Sequence, residues 1–144
     1  EREVTLTAAT IQIVAAVIDD GRGHVLVVRK HGATHFIQPG GKPEPGEAPL
    51  QALARELGEE LGVVLRTDSA VVLGSFSDRA VNEPGHRVQA QVWWVQVEGI
   101  PQVQAEIAEL AWVPLQPPHG RVLAPLSERH ILPVARRVIG LADR

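Results

Sequence analysis

The sequence predicts an α/β fold in which a mixed β-sheet lies between helices. Three observations carry this: apolar residues recur at helical spacing from Ala48 to Leu61, strand-like segments stand on both sides of that helix, and a second helical segment comes last. A length of 144 residues suits one domain, 1–144, that buries a core without staples.

Taken in order, Thr10 to Ile18 and His24 to Arg29 are rich in β-branched residues and flank Asp19-Asp20-Gly21-Arg22-Gly23, whose glycines allow positive φ, so an antiparallel hairpin is expected. A short Phe36-Ile37-Gln38 segment leads into Pro39-Gly40-Gly41-Lys42-Pro43-Glu44-Pro45-Gly46, where proline and glycine exclude regular structure. In the helix, Leu50, Leu53, Ala54, Leu57 and Leu61 form the core face, Pro49 sits in the tolerated first turn, and Gly62 ends it. Val63 to Leu65, Ala70 to Phe76 and Val88 to Val97 read as strands. The last carries Trp93 and Trp94 on opposite faces, so only one of them belongs fully in the core. Glu109 to Leu115 is a further strand. Ser127 to Leu141 is the closing helix, with Ser127 as its N-cap, Leu126 against Ile131 as a staple, and Pro133 bending it or delaying its start.

Composition narrows the function. Net charge is −3 with both signs interspersed, which argues against nucleic acid as a partner. There is no cysteine, so disulfides, thiolate metal sites and cysteine nucleophiles are excluded and a cytoplasmic location is the default expectation. The apolar run from Ile11 to Ile18 is too short to span a bilayer, so no membrane is expected. No nucleophile-elbow sequence accompanies the six histidines, and acyl transfer has no support. Exposed apolar positions in the last helix leave monomer or homodimer open.

The chemistry concentrates at Glu56, Glu59 and Glu60. At i, i+3 and i+4 they crowd one patch on the face opposite the leucines, where like charges repel, and Glu59 and Glu60 stand in the last turn, where the helix dipole disfavours them. Helix stability does not select such a trio. Hard oxygen ligands without sulfur or histidine suit Mg²⁺, or Mn²⁺ in its place, and Mg²⁺ favours a few carboxylates plus phosphate oxygens. Gly40 and Gly41 let the main chain approach a ligand and leave a carbonyl for a cation.

Gly41, Glu47, Arg55, Glu56, Leu57, Glu59, Glu60, Gly62 and Val63 stand in the spacing G-x5-E-x7-R-E-U-x-E-E-x-G-U, where U is aliphatic. This resembles the Nudix box without a departure, and the order of elements is similar to a whole Nudix domain, an α/β/α sandwich with a mixed sheet. The resemblance implies that Glu56 and Glu60 are the principal metal ligands, Glu59 a further or water-mediated one, and the Gly40 carbonyl part of the shell. It also implies that Arg55 orients the carboxylates, with Glu47 as its partner, and that Glu59 or Glu56 is the general base. Another carboxylate is expected before a late Trp-Val pair; Glu106 is chosen over Glu109 and Glu83. Arg29 and Lys42 are candidates for phosphate contact, and His35 with Phe36 for a base or sugar.

The reaction implied is metal-dependent hydrolysis of a phosphate anhydride in a nucleoside di- or triphosphate or related nucleoside diphosphate derivative, with nucleotide-pool housecleaning as one role. ADP-ribose or nucleotide-sugar cleavage is the alternative, although Arg79 stands where ADP-ribose enzymes usually carry proline, and no tyrosine of the dinucleoside polyphosphate kind exists. A non-catalytic nucleotide sensor on the same fold is the alternative of another class; such domains usually show a degraded box.

Overall fold

A computed structural model describes residues 9–142. Its strands are β1 (Thr10–Val17), β2 (His24–Lys30), β3 (Gly40–Gly41), β4 (Val64–Arg79), β5 (Arg87–Glu98) and β6 (Ile107–Pro114). Helix α1 spans Pro49–Leu61, and a π-helical turn, Leu126–Ile131, runs into α2, Leu132–Ala142. One sheet has the order β3-β1-β5-β4, parallel between β1 and β5 and antiparallel elsewhere; β2 and β6 form a second antiparallel ladder.

The layers follow from side-chain alternation along the strands. Along β1 and just past it, Val14, Ala16 and Ile18 face one core cluster with Ala52, Leu53, Leu57 and Leu61 of α1. Ala15 and Val17 face the other, with Ile131, Leu132, Ala135 and Ile139 of the closing helical segment. Strand β2 divides in the same way, Leu26 and Val28 toward α1, Val25 and Val27 toward α2. Both strands are buried on two faces, which is why they read as continuous apolar runs. The mixed sheet between helices is thus as expected.

The expected β1–β2 hairpin is corrected. Its turn forms, with Asp20 Oδ1 accepting from the N–H of Arg22 at 2.7 Å and of His24 at 3.0 Å, and Gly21 and Gly23 at φ 74° and 86°. The strands then diverge into different ladders after a bridge between Asp19 and Val25 and the bond from Leu26 N to Ile18 O. Instead β1 pairs with β5, Val14 opposite Gln91, and β2 with β6, Val27 opposite Ala111.

Helix α1 ends where expected: Gly62 is left-handed at φ 69° and donates to Gly58 O at 3.1 Å. Burying Leu53, Leu57 and Leu61 contributes on the order of 1.5–3 kcal/mol each, all three being fully enclosed. The loop before β6 covers the same helix end, Gln102 N donating to Leu61 O and Gln104 N to Glu60 O, both at 3.0 Å. Carbonyls that the helix itself leaves unpaired are satisfied this way.

The two short strands expected over 63–65 and 70–76 are one, β4. Its ladder with β5 breaks where Thr67, Asp68, Ser69 and Ala70 lie opposite Val95. Ser69 Oγ repairs the gap, donating to Arg66 O at 2.6 Å and accepting from Gln96 N at 2.8 Å. Trp93 is 5% exposed in the α1-side core, whereas Trp94 is half-buried on the other face and donates its indole N–H to Asp19 Oδ1 at 2.7 Å. That division is the expected one.

The closing helix begins earlier and differently. Ser127 is buried inside the π-helical turn, with no cap bond, and Pro125 precedes that turn. Leu132 N reaches back to Ser127 O, so the wide turn is complete just before Pro133, which has no N–H to give. Regular α-helix is thereby delayed to Leu132, while Leu126 and Ile131 meet in the α2-side core. No helix among the described residues is long and apolar enough to cross a membrane.

Candidate active site

Helix α1 presents Arg55, Glu56, Glu59 and Glu60 within about one turn and a half. Arg55 organises them. Its Nε and Nη2 donate to the two oxygens of Glu47 at 2.8 and 2.9 Å, and Nη2 also reaches Lys42 O at 3.1 Å. Nη1 donates to Glu56 Oε2 at 3.0 Å and to Glu59 Oε1 at 3.3 Å. The guanidinium fork therefore ties the glycine loop to the helix and holds two carboxylates from behind. Its hydrogen bonds bring the Glu47 carboxyl down to about 2, helped by the Glu44 N–H, and Glu47 in turn holds the Arg55 proton more firmly than usual.

Glu60 is the buried member, 5% exposed, accepting from Gly40 N at 3.3 Å; seven residues past Leu53, it lies beside the leucine face and not, as expected, opposite it. Burial pushes its carboxyl up to about 8 despite that bond, and the Glu56 charge adds to the rise. Burial also raises the Glu56 carboxyl, even with Arg55 in contact. The Gly-Gly pair is explained by two close approaches. A Cβ on Gly41 would overlap the Glu56 carboxylate, and one on Gly40 would overlap the Val14 carbonyl.

Glu56 and Glu60 open onto a cavity of about 460 Å³, whose wall also carries Glu106, Lys30, Lys42 and Gly40. Glu106 lies 3.7 Å from Lys30 Nζ, and its carbonyl accepts from His31 N at 2.9 Å. Beyond the glycines the wall becomes apolar, with Ile11, Ile13, Val88, Leu126 and Ile131, and its rim carries Arg79, Asn82 and Glu83. Asp78, next to Arg79, accepts from His130 Nε2 at 3.1 Å and so clamps the π-helical turn to β4. Burial would raise this carboxyl, but the N–H of Arg79 and the His130 ring hold it below the ordinary range.

The other sequence candidates lie outside the cavity wall. Glu59 is 55% exposed beside Arg55. Arg29 is paired with Glu109 at 3.2 Å, donates to Ala33 O at 3.1 Å and stands 6.0 Å over the Phe36 ring. Phe36 is in the core, and His35 is half-buried with its Nδ1 2.9 Å from Thr34 Oγ1. Sequence reasoning overlooked Lys30 and Gln38. Val28 faces α1, so strand alternation would have placed Lys30, two residues on, on the side of the carboxylates. A lone glutamine in the apolar approach to the glycine loop was the signal for Gln38.

A divalent cation fits this donor set in kind. Glu56 and Glu60 are carboxylates withdrawn from water and pushed toward protonation, on one cavity wall with Glu106, and a hard cation would take the place of the proton. Among the described residues no three acidic or histidine side chains converge closely enough to enclose an ion by themselves. The set is an open one, as suits an ion that shares its shell with phosphate oxygens.

The NUDIX domain model matches residues 10–133, and the chain belongs to that family. It is 41% identical over 58 residues to the 8-oxo-dGTP diphosphatase of Haemophilus influenzae, a match covering 38% of this chain and 43% of the other. It is 37% identical over 57 residues to the Escherichia coli protein of the same name, covering 37% and 44%. The chain thus spans under half the length of the curated relatives it matches. The solution structure of the E. coli ORF135 protein is similar at a TM-score of 0.68 with 26% identity, over 97% of this chain and 96% of that one. The MutT protein of Methanosarcina mazei Go1 shares the fold at a TM-score of 0.71 and 24% identity, over 97% and 100%.

Proposed function

We propose that this chain is a Mg²⁺-dependent pyrophosphohydrolase, with Mn²⁺ as a substitute, cleaving a phosphate anhydride in a nucleoside di- or triphosphate or related nucleoside diphosphate derivative. One observation carries the reading: the raised carboxylates of Glu56 and Glu60 share a single cavity with the cations Lys30, Lys42 and Arg79 and with an apolar far wall. Carboxylates with Lys30 and Lys42 beside the glycines, and an apolar surface beyond them, match a ligand that is polyanionic at one end and flat and apolar at the other. The relatives named 8-oxo-dGTP diphosphatase support a nucleoside triphosphate as substrate.

Glu56 and Glu60 would hold the metal, with Glu106 and the Gly40 carbonyl on the same cavity wall and Glu59, outside it, as a further or water-mediated ligand. The ion, when bound, neutralises phosphate oxygens and eases deprotonation of water. Lys30 and Lys42, on the cavity wall with the carboxylates, bind the phosphate chain and fix its orientation. Water attacks phosphorus in line, a new P–O bond forms, and the bridging P–O bond breaks with its electron pair leaving on the departing phosphate. The proton lost by water goes to a glutamate, Glu56 or Glu59, both held by Arg55 Nη1. Arg55 touches no substrate; it positions the two carboxylates.

The test is a panel of nucleoside triphosphates, oxidised nucleotides, ADP-ribose, nucleotide sugars and dinucleoside polyphosphates, ranked by kcat/KM with products identified. A nucleotide cleaved between its phosphates in Mg²⁺, and not cleaved in EDTA, is expected. Full turnover in EDTA refutes the mechanism, and binding without turnover across the panel makes the chain a sensor.

A further inference from the structure

Gln38 is 5% exposed and lines the cavity, and neither its Nε2 nor its Oε1 has a hydrogen-bond partner among the described residues. A buried carboxamide with both ends unpaired is costly, and a leucine at that position would avoid the cost. The group therefore needs a reason to be there. Its placement follows from alternation. Phe36 packs in the α2-side core and Ile37 against the α1-side core, which puts Gln38 on the α2 side with Phe36. Gly41, an odd number of residues further on, turns to the opposite side, against Glu56. Gln38 is thus on the face of Ile13 and Ala15, away from the carboxylates, in the apolar part of the cavity.

We propose that the Gln38 carboxamide is a specificity-determining contact that reads the hydrogen-bonding edge of a nucleobase lying between the apolar walls of this cavity. A carboxamide offers a donor and an acceptor side by side. Its complement is a heterocycle edge with adjacent acceptor and donor, the lactam or amino-azine edge of a base. Ile11, Ile13, Val88, Leu126 and Ile131 around it suit the faces of a ring, whereas a sugar would leave hydroxyls unpaired against them. The proposal deepens the reading of the chain as a nucleotide hydrolase and rests on its assignment of the phosphate end to Glu56 and Glu60.

The experiment is direct binding by calorimetry, independent of turnover, to wild type, Gln38→Leu and Gln38→Met. The probes are the four ribonucleoside 5′-monophosphates and 8-oxo-guanosine 5′-monophosphate. Ribose 5-phosphate and the indole ribonucleotide, which keeps a ring but lacks the hydrogen-bonding edge, serve as controls. Wild type is expected to bind at least one base-bearing nucleotide about 10- to 100-fold more tightly than either control. Both variants should lose that preference while binding ribose 5-phosphate as wild type does, and should melt no lower than wild type, since an unpaired buried amide is removed. Wild type indifferent to the base edge, or variants that keep the preference or weaken all probes equally, would overturn the proposal. Should the variants not fold, the wild-type comparison of nucleotide with indole ribonucleotide decides. Nucleotide turnover without a Gln38 effect sinks this proposal alone; a Gln38-dependent preference without turnover of any nucleotide sinks the hydrolase reading alone.

Discussion

Replacing Glu60 by glutamine should make the metal-free protein more stable at alkaline pH, by an amount set by the burial of this carboxyl. Folding moves it from 4.5 to about 8. A carboxyl raised on folding contributes stability that is complete below pH 4.5 and is lost as pH rises through 8, because the unfolded chain releases the proton first. At about 1.4 kcal/mol for each pH unit, the full loss is about 5 kcal/mol, of which about 4 kcal/mol falls between pH 5 and pH 9. In a domain of this size that is roughly 10 °C in melting temperature. The carboxamide of the variant would keep an oxygen for Gly40 N and carry no charge, so its stability should not fall over this interval on that account. The assay is urea denaturation of both proteins in EDTA at pH 5 and pH 9; taking the difference removes every titrating group not coupled to Glu60. The two should be alike at pH 5, with the variant ahead at pH 9. Adding Mg²⁺ at about a hundred times its Kd should return about 2.7 kcal/mol to wild type and little to the variant. Parallel pH profiles, or equal rescue by Mg²⁺, would refute both the buried charge and its assignment to the metal.

Other perturbations separate support from chemistry. Arg55→Lys cannot make the forked contact with both Glu47 oxygens, so kcat should fall about 10- to 100-fold with KM little changed; a lysine variant at full kcat would remove Arg55 from its positioning role. Gly41→Ala places a methyl group on the Glu56 carboxylate, a movable group, so activity and Mg²⁺ affinity should drop steeply in a protein that still folds. Gly40→Ala meets the Val14 main chain, which cannot move, so there the melting temperature itself should fall. Equal melting temperatures for the two alanine variants would contradict this contrast.

Helix α1 was legible in the sequence because its leucine spacing, Pro49 and Gly62 all act within one turn of the backbone they shape. The trio of glutamates was legible for the same reason, since helical spacing alone brings Glu56 and Glu60 together. Strand pairing was not. Alternation along β1 says which residues face which layer, but nothing local says that Val14 lies opposite Gln91 and not a residue of β2. The break over 67–70 in β4 escaped because Ser69 closes the gap with a hydroxyl, with no glycine or proline there as a marker; a second shift, between Val72 and Gly74, does stand at a glycine. Lys30 was hidden by Arg29, an equal cation one position away on the opposite face, where it meets Glu109.

The even and odd residues of β1 serve different layers, Val14 and Ala16 backing the helix of glutamates, Ile13 and Ala15 flooring the apolar recess. The carboxylates proposed for catalysis and the recess proposed for selectivity are therefore backed by two sides of one ribbon, and point changes on either side can be sampled separately. Length is what cannot vary. A single residue inserted into β1 upstream of Val14 would turn Ile11 and Ile13 over to the helix side, and recess and catalytic face would fail together.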